Sequence, residues 1–456
     1  MKKAIVLALA ALVTSAWAAP ALAGPAPGFS YGGFLRYRYT GGDTGTVFDS
    51  PELDGTMHQF QYRFRPYFNY RANEHVSTSF RFDLNGPRFG EAVSAQNTLN
   101  DGSGSFRVAR ARTAAANDEN FRILEAWIRF DVPNAPVTLT IGKQSFSTPK
   151  DLIHSKSGDG VKLAVRAAGG EHTLFWNRAV TGGLGDQTGA DDGDWWGIVP
   201  SFTLGGVRVS PHLSYLKTGK AATGFFPDAE VIFAALNTSG KLGAIGFTFD
   251  VTLQTGEAGA QGGAAAINSA CFASTGGPVA GQRCDVLSYV IDASVTLGVG
   301  PGNLTLKALY SPGDDNPDDA DVDRWVEFFN TDIGWSPFFH DGTSVGGNMA
   351  VVTENPGVAN GGIMAVGLEF AFSPRKDLTV TPNIYYLMAA EDVNVRGGPA
   401  DDLYGIEVGI STTWRLWDTV AFLAQFDYIF AGDVFKPATG DAKDTWRVVL
   451  GPSMSW

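Results

Sequence analysis

The chain has 456 residues, of which 44% are hydrophobic and 18% charged, and its formal net charge is −13. This hydrophobic content excludes a disordered polyelectrolyte. Beyond the first two dozen residues, no apolar run reaches the roughly 18 residues that a membrane-spanning helix needs, so a helical membrane bundle is also excluded. Glycine (56 residues) and aromatic residues (12%) are abundant, and both suit sheets and turns better than helices.

The N-terminus has the pattern of a secretory signal peptide. Lys2 and Lys3 supply the positive region, residues 4–13 are apolar, and Ala21-Leu22-Ala23 precedes Gly24 as an A-x-A cleavage site. A membrane anchor is the weaker alternative because the apolar stretch is short and Pro20 interrupts its end. The sequence therefore predicts a cleaved signal peptide at residues 1–23 and a folded domain at residues 24–456.

Period-two alternation of apolar and polar residues recurs along the whole folded domain. In one segment Phe60, Tyr62 and Phe64 lie on one face, and Arg63 and Arg65 lie on the other. Each such segment is typical of a strand with one apolar and one polar face. The pattern predicts eighteen strands, with sixteen as the next choice, at residues 29–40, 58–71, 74–85, 121–132, 136–145, 160–167, 171–180, 194–204, 207–217, 229–238, 242–254, 285–299, 303–311, 361–373, 378–390, 402–416, 419–430 and 444–456.

The connections between these segments alternate between short turns and long polar loops, notably 86–120, 255–284 and 312–360. This alternation is typical of an all-β, antiparallel, up-and-down transmembrane barrel with short periplasmic turns and long extracellular loops. A soluble sandwich would also alternate, but it rarely needs strands of eleven to fifteen residues, whereas a bilayer needs about 9–11. Eighteen strands enclose a lumen too wide for side chains alone to fill, so we expect a wet interior.

Cationic residues concentrate on the polar face of the first six predicted strands. A cation that faced lipid would cost roughly 2–4 kcal/mol near the bilayer midplane, so these side chains are expected to line the pore. A cationic wall in a water-filled pore would concentrate anions. The alternative is that carboxylates such as Asp83 and Glu125 neutralise it. The predicted pore-lining residues are Arg36, Arg38, Arg63, Arg65, Arg71, Arg81, Arg129, Lys162 and Arg166.

The two cysteines, Cys271 and Cys284, lie 13 positions apart in a segment rich in glycine and alanine. In an exported protein, such a pair is more typical of a disulfide than of a metal or redox site, because no histidine or further cysteine accompanies it. We expect a disulfide that closes one long loop.

The excess of aspartate and glutamate over lysine and arginine is expected to lie mainly in the loops. Asp319, Asp321 and Asp323 have the one-three-five spacing of a calcium loop, but Arg324 replaces the glycine at position six and Asn330 replaces the glutamate at position twelve. A solvated acidic extracellular loop is therefore the main interpretation, and a loop-bound divalent cation is the weaker one. No other cofactor is expected.

The final segment alternates to an aromatic last residue, Trp456, and resembles the C-terminal signal by which the barrel-assembly machinery recognises Gram-negative outer-membrane barrels, although most of those end in Phe. Three internal segments resemble the alginate-export family and related eighteen-stranded porins: Leu139–Gln144, Gly158–Leu163 and Ala308–Asp315. The resemblance implies an outer-membrane location and passive passage of an anionic polymer or small anions through an Arg-lined pore. The selectivity residues of that family cannot be matched one by one, so its solute is not carried over.

The sequence thus predicts a porin in the outer membrane of a Gram-negative bacterium that passes small hydrophilic, mainly anionic solutes. The alternative is a partner-dependent conduit, either for polymer export or as a sheath around a redox protein. Gly342–Gly346 fits the G-x-S-x-G pattern without the strand and helix that a nucleophile elbow needs, so no enzymatic activity is expected. The expected partners are outer-membrane lipid and lipopolysaccharide, the assembly machinery, small solutes and, as an open possibility, further copies of the chain; nucleic acid is not expected.

Overall fold

The structure is a computed structural model. The residues it describes are 27–43, 56–85, 121–147, 153, 155–180, 193–219, 228–259, 283–315, 321–325, 361–393, 400–436, 440–442 and 444–456. They form one antiparallel sheet that closes on itself. No helix in these ranges has the length and apolarity to cross a membrane.

The strands follow one another in chain order, and within the described ranges one 3-10 turn, at Asp433–Phe435, lies between the last two strands. Their bounds are β1 Gly28–Asp43, β2 Thr56–Arg71, β3 Val76–Asn85, β4 Phe121–Asp131, β5 Val137–Ser147, β6 Ser155–Ala167, β7 Gly170–Val180, β8 Gly193–Val199, β9 Phe202–Leu204, β10 Val207–Thr218, β11 Glu230–Leu242, β12 Ile245–Gly259, β13 Arg283–Val299, β14 Gly302–Ser311, β15 Asp321–Val322, β16 Ile363–Arg375, β17 Leu378–Val393, β18 Asp401–Trp417, β19 Val420–Ala431 and β20 Thr445–Ser455.

Nineteen of these twenty elements form the eighteen strands of the barrel. The strands β8 and β9 both pair with β10 and are the two halves of one barrel strand, while β15 is a two-residue strand that runs parallel to β13. The barrel closes where β1 pairs with β20, and the backbones of Gly33 and Trp456 exchange hydrogen bonds of 3.1 and 3.2 Å. The predicted fold class and strand number are confirmed.

One predicted strand is wrong in detail. The sequence predicted an unbroken strand at 194–204, but the structure interrupts it at Pro200 and Ser201. Proline has no N–H to donate to the ladder, and the N–H of Ser201 donates to Nδ1 of His172 (3.4 Å). The hydroxyl of Ser201 accepts from Nε of Arg208 at 3.0 Å. Hydrogen bonds to side chains therefore replace the backbone hydrogen bonds of the sheet at this point. Backbone pairing with β10 resumes in β9.

The barrel exposes its apolar side chains outward and buries polar ones inward, which is the reverse of a soluble domain. In β12 and β13, Leu253 and Leu287 are exposed while Thr252, Gln254 and Ser288 are buried. This arrangement is typical of a membrane barrel with a polar lumen. Two-residue turns such as Ala168-Gly169 and Gly205-Gly206 have positive φ at both positions, which is the geometry of type I′ hairpins. We assign these short turns to the periplasmic end of the barrel.

A row of charged side chains crosses the outer face of half the barrel. Its members are direct register partners on successive strands, and the first six alternate in sign. We call it the outer charge row: Lys143, Asp159, Arg178, Asp194, Lys217, Glu230, Glu257 and Asp285. Within the row, Arg178 lies 3.4 Å from Asp194, and Lys217 pairs with Glu230. Because charge is costly in hydrocarbon, the row marks the upper limit of the apolar surface on this side.

Candidate functional site: the barrel lumen

The predicted pore-lining cations lie on the inward face of β1–β6, and the cross-strand register brings some of them together. Arg36 and Arg63 are direct partners on β1 and β2, and Arg65 lies one inward position further along β2. Arg129, Lys162 and Arg166 lie on β4 and β6, closer to the periplasmic turns. We call this surface the basic wall.

Asp83 partly neutralises the basic wall. Its buried carboxylate lies 2.7 Å from Nη2 of Arg63 and 3.1 Å from Nε of Arg65, so two guanidinium groups share one carboxylate. Arginine stays protonated at any working pH, so this triad carries one net positive charge. Asp83 therefore pairs with two members of the predicted ladder, and the pore-lining role of these arginines stays a prediction.

Three further cations of the inward face are paired across or along strands. Arg81 lies 3.2 Å from Glu125, Arg129 lies 2.8 Å from Asp131, and Arg166 lies 3.4 Å from Glu171.

Lys162 differs from these neighbours. Its ammonium donates to the backbone carbonyl of Ser145 and lies 4.6 Å from the ring centroid of Phe146. Within the described ranges no carboxylate lies within ion-pair distance of its ammonium group.

An acidic wall on β16–β20 was missed by the sequence analysis, which placed the excess acid in loops. Glu369 binds Nζ of Lys307 at 3.1 Å and accepts a hydrogen bond from the hydroxyl of Tyr385. Glu407 on β18 is fully buried. The signal was present, because Glu407 lies on the polar face of an alternating strand, between Ile406 and Val408.

Asp427 and Arg447 form a buried ion pair at the end of this acidic wall. They are register partners on β19 and β20, with Nη2 of Arg447 2.9 Å from Oδ2 of Asp427, and both side chains are essentially inaccessible. Gln425 donates a further hydrogen bond of 2.7 Å to the same carboxylate.

A further acidic pair faces the basic wall across the lumen. Asp250 on β12 and Asp292 on β13 are direct register partners, and both are buried on the inward face. Asn237 donates to Asp250 at 2.7 Å. Since β2 and β12 lie nine barrel strands apart in a ring of eighteen, this pair lies diametrically opposite the triad of Arg63, Arg65 and Asp83.

The acidic segment after β14 is only partly a solvated loop. Val322, Arg324 and Trp325 are buried, and the carbonyl of Arg324 lies 3.5 Å from Nε2 of Gln254, an inward residue of β12. The expectation of a solvated loop is wrong for Val322, Arg324 and Trp325, which are buried, whereas Asp321 is exposed. In the part of the chain that the structure describes, no group of three His, Cys, Asp or Glu could hold a metal ion. Asp319, the first residue of the weak calcium pattern, lies outside that part.

The other predicted sites lie wholly or partly outside the described residues. Cys284 is buried at the start of β13 and disulfide-bonded. Its predicted partner, Cys271, lies outside the described residues, so the pairing stays a prediction. The signal peptide at 1–23 and the Gly342–Gly346 segment also lie outside them.

Comparisons with known proteins agree with this geometry. A family model described as Campylobacter major outer membrane protein matches residues 1–170, a little over a third of the chain. A search of curated proteins finds no match. Among solved structures, OccAB1 of Acinetobacter baumannii is similar with a TM-score of 0.56 and 13% identity, covering 94% of this chain and 96% of that one. OccK9 (OpdG) of Pseudomonas aeruginosa is similar with a TM-score of 0.55 and 12% identity, covering 94% and 98%.

The chain has the fold of solved outer-membrane barrels. OccK8 (OprE) of Pseudomonas aeruginosa, with a TM-score of 0.53 at 9% identity over 94% of this chain and 98% of that one, has the same architecture. The expected resemblance to the alginate-export family is not supported by these matches, which point instead to the Campylobacter protein and to the Occ barrels. At such identities, the structural matches describe the fold, and the function has to be argued from the lumen.

Proposed function

We propose that the chain is a porin of the Gram-negative outer membrane, through which small hydrophilic solutes diffuse passively, with a preference for anions. The closed barrel of eighteen strands supports the channel, because a lumen of this size holds water. The similarity to the Campylobacter outer-membrane protein over the first 170 residues supports the location. Outer-leaflet lipopolysaccharide and the barrel-assembly machinery are the proposed partners.

The observation that carries the anion preference is the excess of cations on the basic wall. Two arginines share Asp83, and no carboxylate among the described residues lies within ion-pair distance of Lys162, so these members of the basic wall keep net positive charge. In a narrow aqueous channel with low-dielectric walls, such an excess raises the local concentration of anions. The acidic pair Asp250 and Asp292 lies on the opposite side, so anions are expected to follow the basic wall.

Reversal potentials under a salt gradient test the proposal. The purified barrel in a planar bilayer is expected to pass chloride in preference to potassium. Arg65→Gln leaves Arg63 to balance Asp83 and is expected to reduce the chloride preference while the barrel stays folded. Arg375→Gln is the matched control, because Arg375 lies at the periplasmic end of β16 and pairs with Asp377 at 2.7 Å.

A cation-selective channel, or one whose selectivity is unchanged in Arg65→Gln, would contradict the anion preference. A folded barrel without ion conductance would contradict the porin itself. The conduit alternatives, polymer export and a redox sheath, are not favoured by any contact among the described residues.

A further inference from the structure

On the outer face of β8 and β10, charges of opposite sign lie side by side at nearly the same height. Asp194 and Lys217 are direct register partners in the middle of the outer charge row. Ten residues separate each of them from its periplasmic turn, which follows Leu204 and precedes Val207. Neighbouring strands lie about 4.7 Å apart, so the backbones at these two positions differ in height by less than that distance.

Both charged groups keep bonding capacity on the outer surface. Trp176 (3.2 Å) and Arg178 (3.4 Å) each donate to Oδ1 of Asp194, and no hydrogen bond among the described residues uses Oδ2. The ammonium group of Lys217 donates to Glu230 and has two further N–H donors. The side chains of Asp194 and Lys217 are 28% and 53% exposed. The barrel therefore presents an acceptor and a donor next to each other.

Below the two charges, the same strands present apolar register pairs. Trp196 and Tyr215 are partners whose ring centroids lie 5.8 Å apart, with 20° between the ring planes. Ile198 and Leu213 are partners one outward position nearer the periplasm, and both are exposed. We call the three pairs together the outer column: Asp194, Lys217, Trp196, Tyr215, Ile198 and Leu213.

The outer column is complementary to itself under a two-fold rotation about the membrane normal. Such a rotation preserves height and exchanges left and right. With the axis between β8 and β10, Asp194 of one copy faces Lys217 of a second copy, and Lys217 faces Asp194. Trp196 faces Tyr215 in the same way. A two-fold contact uses the same surface on both copies, whereas a three-fold ring joins two different surfaces and needs no such symmetry.

The charges give this face a reason to prefer a protein over lipid. An apolar surface gains little by exchanging lipid for another apolar surface, so packing and polar contacts drive association within a membrane. Opposite charges attract more strongly beside hydrocarbon than in bulk water. Two convex barrels touch along only a few strands, and the outer column contributes two ion pairs and two aromatic contacts to that narrow strip.

We propose that the outer face of β8 and β10 is an interface between two copies of this chain, with the two-fold axis between these strands. Asp194 and Lys217 determine the alignment, and the apolar pairs below them fill the contact. The interface lies outside the barrel, so the inference does not depend on which solutes pass through the lumen.

Disulfide cross-linking in dilute proteoliposomes tests the proposal with the full-length chain after replacement of Cys271 and Cys284 by serine. Leu213→Cys places a thiol close to the proposed axis, and oxidation is expected to join two copies. Leu450→Cys is the matched control, because Leu450 is also exposed, lies five residues from the periplasmic end of β20 and is nine barrel strands away. This control is expected to remain monomeric.

Two charge variants of the Leu213→Cys chain test the alignment. Lys217→Glu places carboxylates opposite each other across the axis, and Asp194→Lys places ammonium groups there. Each variant alone is expected to weaken dimer formation about tenfold, or about 1.4 kcal/mol. A mixture of the two, carrying different tags, is expected to form the mixed dimer as readily as the parent forms its own, because each copy supplies the charge that the other needs.

Three results would overturn the inference. Equal cross-linking of Leu213→Cys and Leu450→Cys would show that the copies meet only by random collision. A mixture of the charge variants that cross-links no better than either variant alone would remove the proposed ion pairs. Three copies in native mass spectrometry of the cysteine-free chain, in place of the expected two, would exclude the two-fold contact. A conducting monomer refutes only the interface, and a dimer without conductance refutes only the porin.

Discussion

Asp427 and Arg447 form the most completely buried ion pair among the described residues, and they join β19 to the last strand. Burial of two charges is costly, and their attraction offsets that cost only when both partners are present. Since β20 also pairs with β1, the ion pair lies next to the seam where the barrel closes.

Asp427→Asn is expected to destabilise the barrel by about 3–5 kcal/mol, because it removes a negative charge that offsets the buried guanidinium of Arg447. The double variant Asp427→Leu with Arg447→Met is expected to recover most of this loss. Denaturant unfolding of the refolded protein, followed by the mobility difference between heated and unheated samples, measures both. Lys217→Met breaks an exposed pair and is expected to cost less than about 1 kcal/mol; a similar cost for Asp427→Asn would show that the buried pair is not structural.

The inward positions of the arginines could be predicted from alternation alone, because period two assigns every residue to a face. Their ion-pair partners could not. Asp83 lies 20 residues after Arg63 and 18 after Arg65, so the contact depends on how β2 and β3 align. In the structure Phe64 pairs with Leu84 and Tyr67 with Arg81, and no local pattern in the sequence indicates this register.

The interruption between β8 and β9 shows how one element depends on its neighbour. The start of β7 passes close to this break, and a Cβ at Gly170 would lie 1.7 Å from the carbonyl oxygen of Ser201. Glycine is therefore required there by the close approach of another backbone. Pro200 could have indicated a break, but proline is tolerated at strand edges and bulges, so the sequence alone left the strand intact.

Gly170→Ala is expected to destabilise the barrel by roughly 1–3 kcal/mol or more, because the backbone of β9 would have to move. Gly298→Ala is the matched control on β13, where a Cβ would meet no atom within 4 Å. The fraction of each variant that refolds in detergent, compared at equal denaturant, measures the difference. If both variants refold to the same fraction, the backbone of β9 moves away from the added methyl group without a measurable loss of stability.

At the scale of the whole molecule, the number of strands was predictable and the distribution of charge across the lumen was not. Eighteen strands follow from counting alternating segments, and closure follows because backbone groups in hydrocarbon must all be paired. Which strands face each other depends on that count. Asp250 opposes Arg63 only because nine strands separate β2 from β12, and a ring of sixteen would have placed a different strand there.

The outer charge row makes the apolar surface of the barrel uneven in height. Asp159 lies eight residues from Ala167 at the end of β6, whereas Glu257 lies twelve residues from Ile245 at the start of β12. With a rise of about 3.3 Å per residue and a strand tilt of about 40°, the apolar height is about 20 Å at β6 and about 30 Å at β12. A bilayer of uniform thickness cannot match both sides, so the lipid is expected to thin beside β6 or the barrel to lean toward it.

Nitroxide labels at Val161 and Val251 measure this mismatch, because both residues face outward and lie six residues from their own turns. In a variant without cysteines, the label at Val161 is expected to be more accessible to a water-soluble nickel relaxant than the label at Val251. It is also expected to be less accessible to oxygen, which concentrates in the hydrocarbon. Replacing Asp159 and Lys143 with leucine is expected to move that label deeper. Equal depths in the parent chain would mean that the charges reach water without deforming the membrane. If the depths differ, the length of the lipid acyl chains determines the tilt and depth of the barrel in the membrane. Thick bilayers are then expected to disfavour its insertion.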